Sequence, residues 1–211
     1  MLVLWALIMA CVLPEAVLTM ADWGLMGSLR WRTVAYQNGA FWAGLLRDWQ
    51  PNFAAQPVTM FATHAFLHAG PTHLIGNILA LAGLGRMVID QHGARRMLVV
   101  YGVAIFGGGL AFGLLSRSPA PMVGASGAIF GLAGALLIWR WRDRAPHGQT
   151  ALRATLQLLA GAGLLIAINL LMWWGAAGNL AWETHLGGTI VGGICAALLP
   201  TYRPILEKIR A

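Results

Sequence analysis

Long apolar runs, broken by arginine, glycine and proline, dominate the hydropathy pattern of the chain. A membrane-crossing helix requires roughly 20 mostly apolar residues. Six segments meet that requirement: residues 2–20, 72–89, 97–115, 123–141, 152–174 and 180–199. The pattern predicts an all-α polytopic membrane protein, a six-helix bundle forming one domain over residues 1–211. Pro14 predicts a kink in the first span, because proline removes a backbone donor and crowds the preceding turn. Residues 21–71 break the pattern. "RWRTVAYQNGAFWAGLLRDWQPNF" is too polar to span and too aromatic for a freely solvated loop. This connector predicts short helices lying partly in the membrane interface.

Composition agrees with the pattern. The 211 residues are 58% hydrophobic and 10% charged, with mean hydropathy +0.68. Soluble domains carry about 25% charged residues. The net charge of +7 raises the question of nucleic acid. The basic residues punctuate apolar runs instead of forming a stripe, so no nucleic-acid partner is expected. Many of the 10 tryptophans lie near the ends of the runs, which suits an interfacial aromatic belt. Cys11 and Cys195 lie far apart inside apolar runs and are expected to be buried and unbridged. "LIMAC" at positions 7–11 has the outline of a lipoprotein processing site but no basic segment before it, so residues 1–20 are read as a retained span.

Lysine and arginine set the orientation. Arg86, Arg95, Arg96, Arg140, Arg142, Arg144, Arg153, Arg203, Lys208 and Arg210 fall on one side of the predicted bundle. Arg30, Arg32, Arg47 and Arg117 fall on the other. The positive-inside rule then places both termini in the cytoplasm. Spans 2, 4 and 6 each begin at the outer face. That brings His73 and Asn77, Ser126, and His185 to similar depth on three separate spans.

These four residues are the candidate chemistry. Ser126 sits in "GASGAIFG", where a small residue is also readable as packing alone. His185 opens "HLGGTIVGG"; Gly188 and Gly192 share its helical face. Glycine faces on spans 4 and 6 would let the imidazole reach the Ser126 hydroxyl and act as its base. His73 and Asn77, four apart, share one face of span 2 and could line an oxyanion site. The first N–H groups of a helix lack partners, so the Ser126 N–H is a third donor. Interhelical hydrogen bonding is the other reading of His73 and Asn77. His64, His68 and His73 have spacings of four and five, but the Glu of H-E-x-x-H is absent and no acid lies nearby. No metal or other cofactor is expected, and His64 and His68 are read as interfacial hydrogen-bonding or water-holding groups. His92 and His147 fall in connectors and are read as solvated. Glu183 should point away from His185, so a Ser–His dyad is expected, with no third member.

"HAFLHAGPTHLIGN", "GASGAIFG" and "HLGGTIVGG", in that order on spans 2, 4 and 6, resemble the rhomboid intramembrane serine proteases. The resemblance runs from Phe61 to about Leu199. It implies a six-helix core whose site opens outward through a water-filled cavity. It implies Ser126 as nucleophile, His185 as general base, and His73 and Asn77 as the oxyanion pair. Gly124 and Gly127 match the glycine–x–serine–glycine motif, and Gly188 and Gly192 match the glycines after the catalytic histidine. "GRMVID" resembles the family's glycine–arginine–x–x–x–acid element, with Asp90 where Glu is common. Thr184 stands where Ala is frequent. Phe130 stands where Tyr is frequent and where the ring would pack on the imidazole. The Trp–Arg pair often found just before span 2 has no match there; "RWR" at positions 30–32 lies earlier. The implied activity is a serine endopeptidase of a bacterial inner membrane, cleaving membrane-spanning helices of substrates near the outer face. Its implied partners are those transmembrane segments and the lipid bilayer. Three rivals remain at this point: an inactive rhomboid-like protein that binds membrane clients, a haem or metal carrier ligated by His64, His68, His73 and His185, and a transporter, which the lack of an obvious repeat between halves disfavours.

Overall fold

The computed structural model describes residues 1–144 and 151–200. Its helices are α1 (Leu2–Asp22), α2 (Trp31–Gly39), α3 (Gln56–Thr63), α4 (Pro71–His92), α5 (Ala94–Leu115), α6 (Ser126–Arg144), α7 (Ala151–Gly175) and α8 (Trp182–Leu198). Two 3₁₀ turns, Ala43–Leu46 and His64–Phe66, lie between α2 and α4. Among the described residues there is no β-strand, only one isolated bridge between Phe41 and Met122.

Among the described residues, four helices, α1, α4, α5 and α7, are long and apolar enough to cross a membrane. The other two predicted spans are helical but less extreme. α8 has 17 residues, and α6 ends in the charged run "RWRDR". The helix α1 continues through Pro14. α4 extends to His92, and Gly93 alone separates it from α5. Gly93 has φ +86°, a conformation open to glycine without penalty, so a single residue makes the turn. Arg95 and Arg96 lie in the first turn of α5. One expectation changes as a result. His92 is buried and stacked 3.9 Å from Trp139, not solvated. His147, Arg203, Lys208 and Arg210 lie outside the described residues. Cys11 is buried, Cys195 is half-buried, and both are free.

α8 packs tightly against both α5 and α6. Between lipid-embedded helices there is no water to escape, so close packing and hydrogen bonds must supply the attraction. Glycines make the approach possible. A Cβ on Gly188 would collide with the Gly127 carbonyl oxygen, and one on Gly192 with the Gly131 carbonyl oxygen. The backbones of α6 and α8 are therefore in direct contact along this seam. α1 and α4 close the other side, burying Leu4, Ile8, Leu81 and Val88 with Leu132 and Trp139 of α6.

The segment between α1 and α4 folds as short helices over a second apolar cluster, Phe41, Met60, Phe112 and Met122. Arg32 of α2 anchors it. Its guanidinium bonds both oxygens of Glu15, which is 1% exposed on α1, at 2.8 and 2.9 Å. It also donates to Asp22 at 2.6 Å and to the His68 carbonyl at 2.9 Å. The Glu15 carboxylate, with help from Asp22, holds the Arg32 guanidinium above the ordinary arginine range. Tyr36, one turn on, donates to the same His68 carbonyl at 2.6 Å.

Candidate active site

Ser126 is the first residue of α6. Its N–H therefore has no carbonyl one turn back and faces the positive end of the helix dipole. The segment leading to it is held by backbone bonds from the connector. Met122 and Phe41 exchange two bonds of 2.9 Å, and Gly124 N–H donates to the His64 carbonyl at 2.9 Å. Gly124 has φ +123°, and a Cβ there would lie 2.8 Å from His73 Cε1. The His73 ring thus lies directly against the residue two before Ser126.

His185 lies in the first turn of α8 and is 2% exposed. Its Nε2 is 2.8 Å from Ser126 Oγ, across 59 residues of sequence. The glycine seam sets that distance through main-chain contact. Phe130, one turn into α6, stacks on the imidazole with centroids 4.2 Å apart and planes 5° apart. Nδ1 lies 2.6 Å from Asn169 Oδ1 of α7. Thr184 is buried, its hydroxyl against Gly108 and Gly127, so the residue before His185 fills space between α5 and α6.

On α4, the Asn77 amide donates to the His73 carbonyl at 2.9 Å, while its buried Oδ1 has no partner among the described residues. The His73 ring accepts from the Ala69 N–H at 3.2 Å. His68 is buried edge-on to His73, 5.3 Å between centroids. His64 is buried, with Nδ1 2.7 Å from the Met60 carbonyl. Among the described residues, no three His, Cys, Asp or Glu side chains converge as a metal-binding group. An apolar cavity of about 580 Å³ adjoins the imidazole, with Phe130, Asn169, Trp173, Trp182 and Leu186 on its walls.

Residues 55–202 match the Rhomboid domain. The chain belongs to the rhomboid family. Among the relatives of this rhomboid protein is Rhomboid protease GluP of Bacillus subtilis (strain 168). It is 36% identical over 138 residues, which is 65% of this chain and 25% of GluP. RHOMBOID-like protein 2 of Arabidopsis thaliana is 31% identical over 179 residues, 85% of this chain and 48% of that protein. Human Rhomboid-related protein 3 is 28% identical over 158 residues, 68% of this chain and 37% of that protein. The chain thus spans from a quarter to about half the length of these relatives. Family and apolar helices together make it an integral membrane protein.

Two residues, one at the candidate site and one bracing the connector beside it, are not singled out by the sequence pattern. Asn169 is the one polar side chain between Leu158 and Gly175 in α7, and a lone amide in an apolar helix is itself a signal, because it seeks an interhelical partner. Arg32 was visible in "RWR", but nothing local pointed to Glu15 or to the His68 carbonyl.

Proposed function

We propose that this rhomboid protein is an intramembrane serine endopeptidase that cuts membrane-spanning helices of substrate proteins near the outer face of the bilayer. The observation that carries the proposal is the 2.8 Å contact between His185 Nε2 and Ser126 Oγ. A base in hydrogen-bond reach of a hydroxyl is what nucleophilic catalysis by serine requires. His185 takes the Ser126 proton as Oγ attacks the scissile carbonyl. The C–N bond then breaks, and His185 returns the proton to the leaving amine. Water, activated by the same imidazole, hydrolyses the acyl-enzyme and restores the Ser126 hydroxyl. The Ser126 N–H, His73 and the second amide hydrogen of Asn77 stabilise the oxyanion.

The reading includes six spans, α1 and α4–α8, in one domain over residues 1–211, with the connector in the outer interface. It places both termini in the cytoplasm of a bacterium and the dyad in the outer leaflet of its inner membrane. Backbone must unwind before it can be cut, so substrate helices with weak propensity are favoured.

A single-span reporter co-expressed with wild type, Ser126→Ala and His185→Ala tests the proposal. Cleavage is expected from wild type alone, and a fluorophosphonate is expected to label Ser126. Cleavage that survives either change overturns the dyad. Wild type that neither cleaves nor labels supports an inactive, client-binding rhomboid instead. A protonated imidazole cannot accept the serine proton, so activity should fall on acidification; equal rates at about pH 5 and about pH 8 would contradict a His base.

A further inference from the structure

We infer that Asn169 is a positioning residue for His185: from α7, its side-chain carbonyl holds the imidazole in the tautomer whose Nε2 can accept the Ser126 proton. This rests on the dyad proposed above and adds a third member to it, a neutral amide.

The geometry closes around the ring. Nε2 faces Ser126 Oγ at 2.8 Å and Nδ1 faces Asn169 Oδ1 at 2.6 Å. Oδ1 is an acceptor only, so the 2.6 Å contact needs hydrogen on Nδ1. A neutral imidazole with hydrogen on Nδ1 has its lone pair on Nε2, directed at the serine. The opposite tautomer would set the Nδ1 and Oδ1 lone pairs against each other. With the amide turned over, Nδ2 would donate to Nδ1, Nε2 would carry hydrogen, and the serine would have no base. The amide orientation therefore decides whether the dyad works. Phe130 covers one face of the ring, so the two in-plane bonds fix the remaining rotation. Asn in this position has chemical precedent in Cys–His–Asn sites.

The location adds meaning. α7 is exposed along nearly its whole length, and Ala154 is its one buried residue. Asn169 is half-buried and ties this loosely packed helix to α8 through the base itself. Any movement of α7 away from α8 removes the hold on His185, so docking of α7 and readiness of the base are linked. Among the described residues, His73 of α4 acts electrostatically on His185 from another helix; Glu183 lies on its own helix, two residues before it.

Asn169→Leu and Asn169→Asp in the full chain test the inference. Leucine has similar bulk and adds only hydrocarbon to an apolar helix, so the fold is retained. With the reporter, kcat of Asn169→Leu is expected to fall about 10- to 100-fold with KM nearly unchanged. The Oδ1 bond favours imidazolium over imidazole. The acid limb of the rate profile should therefore move to lower pH in Asn169→Leu and to higher pH in Asn169→Asp. Nitrogen-15 NMR of histidine-labelled protein, with His185 assigned by its Ala variant, should show the Nδ1–H form in wild type and a mixture in Asn169→Leu. An Nε2–H form in wild type, the same tautomer in both proteins, or a kcat loss with an unmoved acid limb overturns the inference. If wild type neither cleaves nor reacts at Ser126, the protease reading fails, while the tautomer measurement still decides the role of Asn169.

Discussion

A methyl group at Gly124 would meet two obstacles at once: a φ of +123° and the His73 ring at 2.8 Å. Gly124→Ala is expected to cost on the order of 1–3 kcal/mol of stability. It should also slow fluorophosphonate labelling of Ser126, because the segment before the serine must shift. Thermal melting and labelling rate in detergent measure the two effects. His64 gives a pH effect of known sign. Burial pushes its pKa down from 6.5 to about 4, against the Met60 bond that acts the other way. The unfolded chain therefore takes up a proton near neutral pH that the folded chain refuses. Stability from this group is full above about pH 6.5 and is lost as pH falls toward 4, by on the order of 3 kcal/mol in total. The melting temperature should drop over that window, and His64→Gln should flatten the drop. At this scale, Ser126, His185, His73 and Asn77 could be picked out because ionisable and polar groups in apolar runs are costly and few. Asn169 was overlooked because its partner is defined only by how α7 lies against α8. The same holds for His92, whose burial depends on three extra residues of α4.

Between elements, the Arg32–Glu15 pair joins α2 to α1 through a buried carboxylate. Removing Arg32 leaves a carboxylate that is 1% exposed without its cation. Arg32→Ala is expected to destabilise by about 3–5 kcal/mol. Pairing Arg32→Met with Glu15→Leu should recover most of the loss, since an uncompensated charge costs more than an absent pair. Denaturation of the three proteins in detergent checks the order. The helices themselves were legible, because a hydropathy run of about 20 residues has few other outcomes. Their ends were not. Gly93 makes its turn with one residue, and no hydropathy window registers a single glycine. The short helices of the connector were foreseeable from its aromatic, amphipathic character. The anchoring of Phe41 to Met122 was not, because it joins segments 81 residues apart through backbone atoms that carry no side-chain signal.

For the whole molecule, the proposed topology makes a labelling prediction. Ser118→Cys, in the turn between α5 and α6, should react with a membrane-impermeant maleimide from outside intact cells. Arg95→Cys should react only after permeabilisation. Reversed accessibility would invert the orientation and move the dyad to the cytoplasmic leaflet. The family was legible from three ordered motifs, since their spacing places them on separate helices that must converge. The glycine faces of α6 and α8 were legible too; what remained hidden was the bracing by Arg32 and Asn169, which acts across the sequence.

The glycine seam between α6 and α8 has a consequence for how this protein fails on heating. Ser126 and His185 are spaced by main chain pressing on main chain, with no side chain between that can soften first. Backbone contact of this kind is either present or gone. With α7 docked, activity should therefore hold its expected temperature trend until α6 and α8 part, then vanish in the same transition that melts them. A residual-activity curve that overlays the unfolding curve would be the signature, and an earlier loss would mark undocking of α7.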